Sequence, residues 1–291
     1  MSYVIVTDSA SNLTGQTINE LKLEILPLVF FVDGEEKTSY LKGQTTNLKE
    51  FYTMMREGKV ITTSLPNVAK AEDSIRALLD EGNDILYLGF SSALSGTYTA
   101  ISLMMQGLQE QYPERVIKTV DTRAASGGEG LLVYLAAQKK AAGASLDEVY
   151  TWAEEAKMNI AHWFTVDDLM FLFRGGRVTR TSAWAGTLLN IKPILHVNDE
   201  GKLIPQEKVR GRKKSIQALF EHISSGLSQA PEDATVFITH GDCEDEAQLL
   251  ADMIKDKLGV QDIHLNYIDP VIGAHSGPGT IALYYLAQNR N

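Results

Sequence analysis

The sequence predicts an α/β protein built as two units. The first is an amino-terminal three-layer α/β/α unit on a parallel sheet (residues 1–160); the second is a carboxy-terminal α/β unit with a mixed sheet (residues 161–291). Three observations carry this reading. Short β-rich apolar runs alternate with helical stretches through the first half, the spacing of right-handed βαβ units. The Asn198-Asp199-Glu200-Gly201 turn in the second half calls for antiparallel strands there. A chain of 291 residues, 44% hydrophobic, divides more naturally between two cores than it fills one.

In the first half, residues 4–6, 26–32, 85–88 and 116–120 read as strands, and 48–56, 68–80, 96–111 and 130–142 carry helical periodicity. Gly143 ends one helix, and Ser145 with Glu148 forms a capping box that opens the next. Further on, 163–166, 193–197, 203–209, 236–239 and 263–268 read as strands, with amphipathic helices over 215–227 and 246–258. The loops after the first-half strands are rich in small polar residues, and functional groups gather at such strand ends.

Charge and composition exclude several classes. With 27 basic and 37 acidic residues the net charge is −10, the opposite of a nucleic-acid footprint. The single Cys243 excludes an internal disulfide. It stands among Asp242, Glu244 and Asp245, which raise a thiol pKa, and a reducing, cytoplasmic setting fits. No apolar run approaches a membrane span, so no stable membrane insertion is expected. There is no glycine-rich nucleotide loop, and the six histidines lack metal-ligand spacing; neither cofactor nor metal is expected.

Each candidate site residue also has a structural role open to it. Asp8 follows the first strand as in aspartyl phosphatases, but position 10 is Ala where those need an acid, so Asp8 is expected to cap its own turn, and Asp121 likewise. Gly89-Phe90-Ser91-Ser92-Ala93 falls one residue short of a nucleophile elbow. The chain order Ser91, Asp168, His275 would suit a hydrolase triad, although the following helix starts too late, near Ser95. Ser95 is expected to cap that helix or to help bind an anion at its N-terminus. Thr62 to Asn67 reads as another helix start with hydroxyls nearby and Asn67 as the cap. Arg174 and Arg177 flank Gly175-Gly176, where arginines usually tie a loop to carboxylates such as Asp167 or Asp168. His275 lies in a glycine-rich turn, before what reads as an apolar helix, and is favoured as a site residue. The basic segment 208–214 is either a solvated corner or a partner patch.

Taken in order, Thr7-Asp8-Ser9, Thr63-Ser64-Leu65-Pro66, Ser91 to Ala100, Val120-Asp121-Thr122, Asp167 to Arg177, Lys208 to Gly211, His240-Gly241-Asp242 and Gly273 to Thr280 resemble the DegV family nearly end to end. The resemblance implies a two-domain α/β protein that binds a long-chain fatty acid such as palmitate between its domains and does no bond chemistry itself. Some relatives present the acyl carboxylate to a separate fatty acid kinase, which makes an acyl-phosphate. It places the carboxylate-binding hydroxyls on Thr63 and Ser95, with His275 and Arg174 nearby. The fold also resembles the substrate subunit of dihydroxyacetone kinases. Asn12, Leu65, Asn67 and Phe173 depart from residues frequent in the family. The alternative is an enzyme proper, a serine hydrolase using Ser91 or a phosphotransfer subunit using His275.

Overall fold

The first half of the chain runs β1 (Tyr3–Asp8), α1 (Gly15–Glu20), β2 (Glu24–Leu26), β3 (Val29–Val32), β4 (Glu35–Thr38), α2 (Leu48–Arg56), β5 (Ile61–Ser64), α3 (Val68–Asp80), β6 (Asp84–Gly89), α4 (Thr97–Gln111), β7 (Ile117–Asp121), α5 (Gly127–Ala141) and α6 (Leu146–Ala156). The second half follows as β8 (Ile160–Thr165), α7 (Met170–Arg174), β9 (Ile191–Val197), β10 (Leu203–Arg210), α8 (Arg212–Gly226), β11 (Thr235–His240), α9 (Glu244–Leu258), β12 (Asp262–Tyr267), α10 (Pro270–Ser276) and β13 (Ile281–Leu286). This computed structural model describes residues 2–40, 43, 46–179 and 190–290.

The first sheet has the order β2-β1-β6-β7 and is parallel throughout, as expected from the βαβ spacing. The second, β10-β9-β8-β13-β11-β12, is mixed, with β11–β12 its parallel pair. A small antiparallel sheet, β4-β3-β5, completes the set. Helix α5 joins the two large sheets. Its first seven residues, Gly127 to Val133, are all buried, and a helix buried on every side needs a wall on every side. Val133, Ala136 and Ala137 pack with Ile5, Leu86 and Leu88 of the parallel sheet. Leu131 and Leu132 pack with Phe164, Leu195 and Phe237 of the mixed sheet.

Two expectations need correction. Residues 26–32 are not one strand. Pro27 has no N–H to give a ladder, and the chain leaves the parallel sheet there and enters the small sheet at β3. Residues 281–286 form β13 rather than a helix. This strand is covered on both faces between β8 and β11, so its run Ile-Ala-Leu-Tyr-Tyr-Leu shows no alternation to distinguish it from a buried helix. Correspondingly, His275 sits within α10 and not in a turn.

The loops at the carboxyl edge of the parallel sheet are tied together. Asp8 Oδ1 accepts the Ala10 N–H at 3.1 Å, the local cap expected. Its Oδ2 accepts the Phe90 N–H and the Tyr87 hydroxyl, both at 3.1 Å, which fixes the loop after β6. Asp121 accepts the Ser92 and Arg123 N–H groups in the same way. The β9–β10 hairpin closes as expected, with the Gly201 N–H donating to Asn198 O at 2.8 Å and Gly201 at φ +79°. First-half groups hold its turn. Ser91 Oγ donates to Gly201 O at 2.9 Å and Arg123 Nη1 to Asp199 O at 3.0 Å. Arg290, 1% exposed, reaches the carbonyls of Asn198, Arg123, Thr122 and Lys157.

Candidate functional site

Outside the carboxyl ends of β6 and β7 lies a cavity of about 340 Å³. Its wall comes from both halves of the chain: Phe90 and Leu94 from the loop after β6, and Phe164, Val197, Leu203 and Tyr284 from the mixed sheet. Open α/β sheets place their ligand crevices at this edge, and the volume is within the roughly 300–1,000 Å³ of small-molecule sites. Most of the wall is apolar. Among its polar residues one stretch can be followed from contact to contact.

Thr63 is on β5, opposite Phe30 of β3. Strand alternation turns Ile61 and Thr63 inward while Thr62 and Ser64 are exposed. Thr63 Oγ1 lies 2.8 Å from His275 Nε2, across 212 residues of sequence. Burial, with the nearby Arg177 cation adding to it, pushes the His275 pKa down to about 4, so the ring is neutral at pH 7. In the tautomer with a proton on Nε2, His275 donates to Thr63 and leaves the threonine hydroxyl proton for a third group. Gly175 packs against the other edge of the ring, where a β-carbon would collide with Nδ1.

Arg177 donates through Nε to Leu94 O at 3.0 Å and through Nη1 to Gly175 O, and its guanidinium lines the cavity. Burial lowers its pKa. Next to Leu94, Ser95 also lines the cavity. Its Oγ accepts the Thr97 N–H at 3.2 Å and lies 2.9 Å from Thr97 Oγ1, where either hydroxyl can donate; the N-cap of α4 is Gly96, so Ser95 stands one residue before the position expected of it. Asn67 caps α3 as expected, accepting the Lys70 N–H at 3.2 Å.

Three of the four predicted site residues, Thr63, Ser95 and His275, are on the wall. Arg174 is not among its lining residues; its Nε donates back to Met170 O at 3.2 Å and its guanidinium lies over the Phe171 ring. Arg177 occupies the wall instead. The Gly175-Gly176 bend after α7 decides which arginine faces inward, and residue type alone does not reveal that. The carboxylates expected to hold these arginines are otherwise engaged. Asp167 pairs with Lys192 at 2.6 Å, and Asp168 accepts the Met170 N–H at 2.8 Å.

The triad suggested by chain order is not assembled among the described residues: Ser91 donates to Gly201 O, Asp168 accepts the Met170 N–H of its own turn, and His275 pairs with Thr63. Cys243 has its pKa pushed up to about 12. Burial is the leading cause, and the acids that add to it are Glu246 and Asp167 rather than Asp242, Glu244 and Asp245. In the basic segment, Arg212 is absorbed by an ion pair with Glu246 at 2.8 Å. Among the described residues there is no group of three His, Cys, Asp or Glu side chains that could hold a metal, and no helix long and apolar enough to cross a membrane.

Comparison with known proteins agrees with the fold. Residues 2–288 match the family described as uncharacterised proteins of the DegV family. A DegV domain-containing protein of Clostridium perfringens is 44% identical over 288 residues, covering 99% of this chain and 98% of the relative. A solved DegV family protein from Thermus thermophilus, described by its fatty acid binding, is 30% identical, with a TM-score of 0.86 over 99% of this chain and 100% of that one. A DegV lipid-binding protein from Thermotoga maritima is 29% identical, with a TM-score of 0.86 and full coverage of both chains.

Proposed function

The chain belongs to the DegV family, and on that premise we propose that it binds a long-chain fatty acid in the cavity between an amino-terminal unit (1–160) and a carboxy-terminal unit (161–291). The observation that carries the reading is the wall itself. It is mostly apolar, and among its polar side chains Thr63, His275, Arg177 and Ser95 form one connected stretch. A buried carboxylate is costly unless several donors meet it, and hydroxyls, a helix N-terminus and a guanidinium are the groups that meet it best. The acyl tail gains roughly 0.8 kcal/mol for each methylene it removes from water. In this reading Thr63 and Ser95 touch the carboxylate, and His275 orients Thr63. Arg177 supplies the positive charge that the sequence reading gave to Arg174.

The protein acts as a carrier in the cytoplasm, and a separate kinase would phosphorylate the presented carboxylate. Lys208 and the neighbouring basic residues are candidate contacts for that kinase, since local basic patches orient a partner on an acidic surface. The hydrolase reading is not favoured, because the Ser91 hydroxyl is committed to the hairpin turn. Native mass spectrometry of protein purified without added lipid tests the proposal. A released fatty acid supports it; protein that stays empty even after incubation with palmitate overturns it.

A further inference from the structure

Hydroxyl groups inside helices have a default partner, the carbonyl four residues back. This chain uses it repeatedly: Thr53 Oγ1 donates to Lys49 O at 2.9 Å, Ser225 Oγ to Glu221 O at 2.9 Å, and Ser74 Oγ to Lys70 O at 3.3 Å. Ser276, the last residue of α10, does not. It is 6% exposed, and its Oγ has no hydrogen-bond partner among the described residues. Its carbonyl is satisfied by the Thr280 hydroxyl at 2.9 Å, so the lack of a partner is confined to the hydroxyl.

That hydroxyl belongs to a cavity wall. Ile272, His275 and Ser276 are three and four positions apart, hence on one side of α10, and all three line the cavity. The other polar side-chain atom of this wall without a partner, His162 Nε2, abuts the Gly128 Cα, where a β-carbon would collide with it. Its ring is oriented by Nδ1 donating to Ile160 O at 2.9 Å, so Nε2 is an acceptor and unsuited to an anion. Ser276 Oγ carries a donor, next to the histidine that holds Thr63.

We propose that Ser276 is a third hydroxyl of the carboxylate site, donating to the ligand's head group beside Thr63 and Ser95. This assignment rests on the fatty-acid reading and adds a binding residue to it. An unpaired buried hydroxyl destabilises the empty protein, and the bound carboxylate supplies its missing partner. The assignment therefore predicts a crossed signature that a merely structural serine would not give.

The test compares wild type, Ser276→Ala and Ser276→Thr by titration with palmitate and with hexadecanol, and by thermal unfolding without ligand. Ser276→Ala should weaken palmitate binding about 10-fold or more while leaving hexadecanol within about 2-fold. The empty Ala variant should melt at the wild-type temperature or about 2 °C higher. Ser276→Thr should retain palmitate affinity. Unchanged palmitate affinity in Ser276→Ala, an equal loss for both ligands, or a lower melting temperature with no selective loss overturns the assignment and leaves the fatty-acid reading standing. Wild-type protein that fails to bind palmitate overturns that reading, and this assignment with it.

Discussion

The loop after β1 and the wall of the cavity are both made of small polar residues, but their hydrogen bonds run in opposite directions. Around β1 the side chains turn inward to hold backbone. Asp8 gathers two N–H groups and a tyrosine hydroxyl, Ser9 Oγ takes the Leu28 N–H at 3.0 Å, and Asp269 caps α10 through the Ile272 N–H at 2.9 Å. Around the cavity, Thr63 meets one histidine nitrogen, Ser95 meets only the N–H and hydroxyl of Thr97, and Ser276 has no partner among the described residues. The first set is scaffold, and its energetics should appear in folding. The second keeps hydrogen-bonding capacity in reserve, and its energetics should appear in binding.

The largest effect that can test this division is on affinity. Each hydrogen bond to a charged group contributes about 1.5–3 kcal/mol, so Thr63→Ala/Ser95→Ala should weaken palmitate binding by roughly 100-fold or more. Thermal unfolding of the empty double variant should change little. Calorimetric titration beside a melting curve checks both, and unchanged affinity would sink the assignment of these hydroxyls. Asp8→Ala is the mirror experiment. Removing it strands two buried N–H groups and the Tyr87 hydroxyl, a cost of about 3 kcal/mol in denaturant unfolding, while the fraction that remains folded should bind palmitate with wild-type affinity.

A pH series sharpens the scaffold side. Burial is the leading cause that pushes Asp8 up to about 6 and Asp269 up to about 7, and it raises Glu129 well above the usual carboxylate range. Glu129 Oε2 and Asp269 Oδ2 have no hydrogen-bond partner among the described residues, and a carboxylate oxygen without a donor favours the neutral form. A carboxyl whose pKa is higher folded than unfolded binds more protons in the folded state between the two values. Its contribution is complete below the unfolded value and is lost as pH rises through the folded one. Stability from this cluster should therefore fall as pH climbs through about 6 and about 7. Asp269→Asn should flatten the upper part of that dependence. A wild-type melting temperature that rises across the window, with no flattening in the variant, would contradict the scaffold reading.

Much of the scaffold could be read from sequence because its interactions are local. Asp8 serves a residue two positions on, Asn67 and Ser145 cap helices three positions on, and Asn198–Gly201 closes its own turn. The site was less accessible because it is assembled across long separations. Thr63 and His275 are 212 residues apart, and nothing in Ile-Thr-Thr-Ser marks β5 as the strand that delivers the hydroxyl. The family resemblance found Thr63, Ser95 and His275 where periodicity could not. It selected Arg174 where the wall holds Arg177, since three residues around a glycine bend reverse which guanidinium faces in. Ser276 was hidden for a related reason: residues 273–280 read as a glycine-rich turn, which has no inner face, whereas Pro270–Ser276 is a helix with one side on the cavity.

The smallest expected effect bears on whether any hydroxyl near the cavity is a nucleophile. Ser91 has the sequence neighbourhood of one, yet it behaves as scaffold: fully buried, donating to Gly201 O, with Gly201 at φ +79° and too close to tolerate a β-carbon. Ser91→Ala should cost about 1 kcal/mol of folding stability, the usual value of one buried hydrogen bond, and leave palmitate affinity unchanged. A nucleophile would give the opposite pattern, because its loss abolishes turnover and touches stability little. His275 supports the same side, since a base bonded to Thr63 and held near a pKa of about 4 is a weak proton acceptor at neutral pH. Incubating the wild-type protein with a nitrophenyl ester or an acyl-phosphate should release no acid above the buffer rate. Hydrolysis by the protein alone that disappears in Ser91→Ala or His275→Ala would move Ser91 out of the scaffold and replace the carrier with an enzyme.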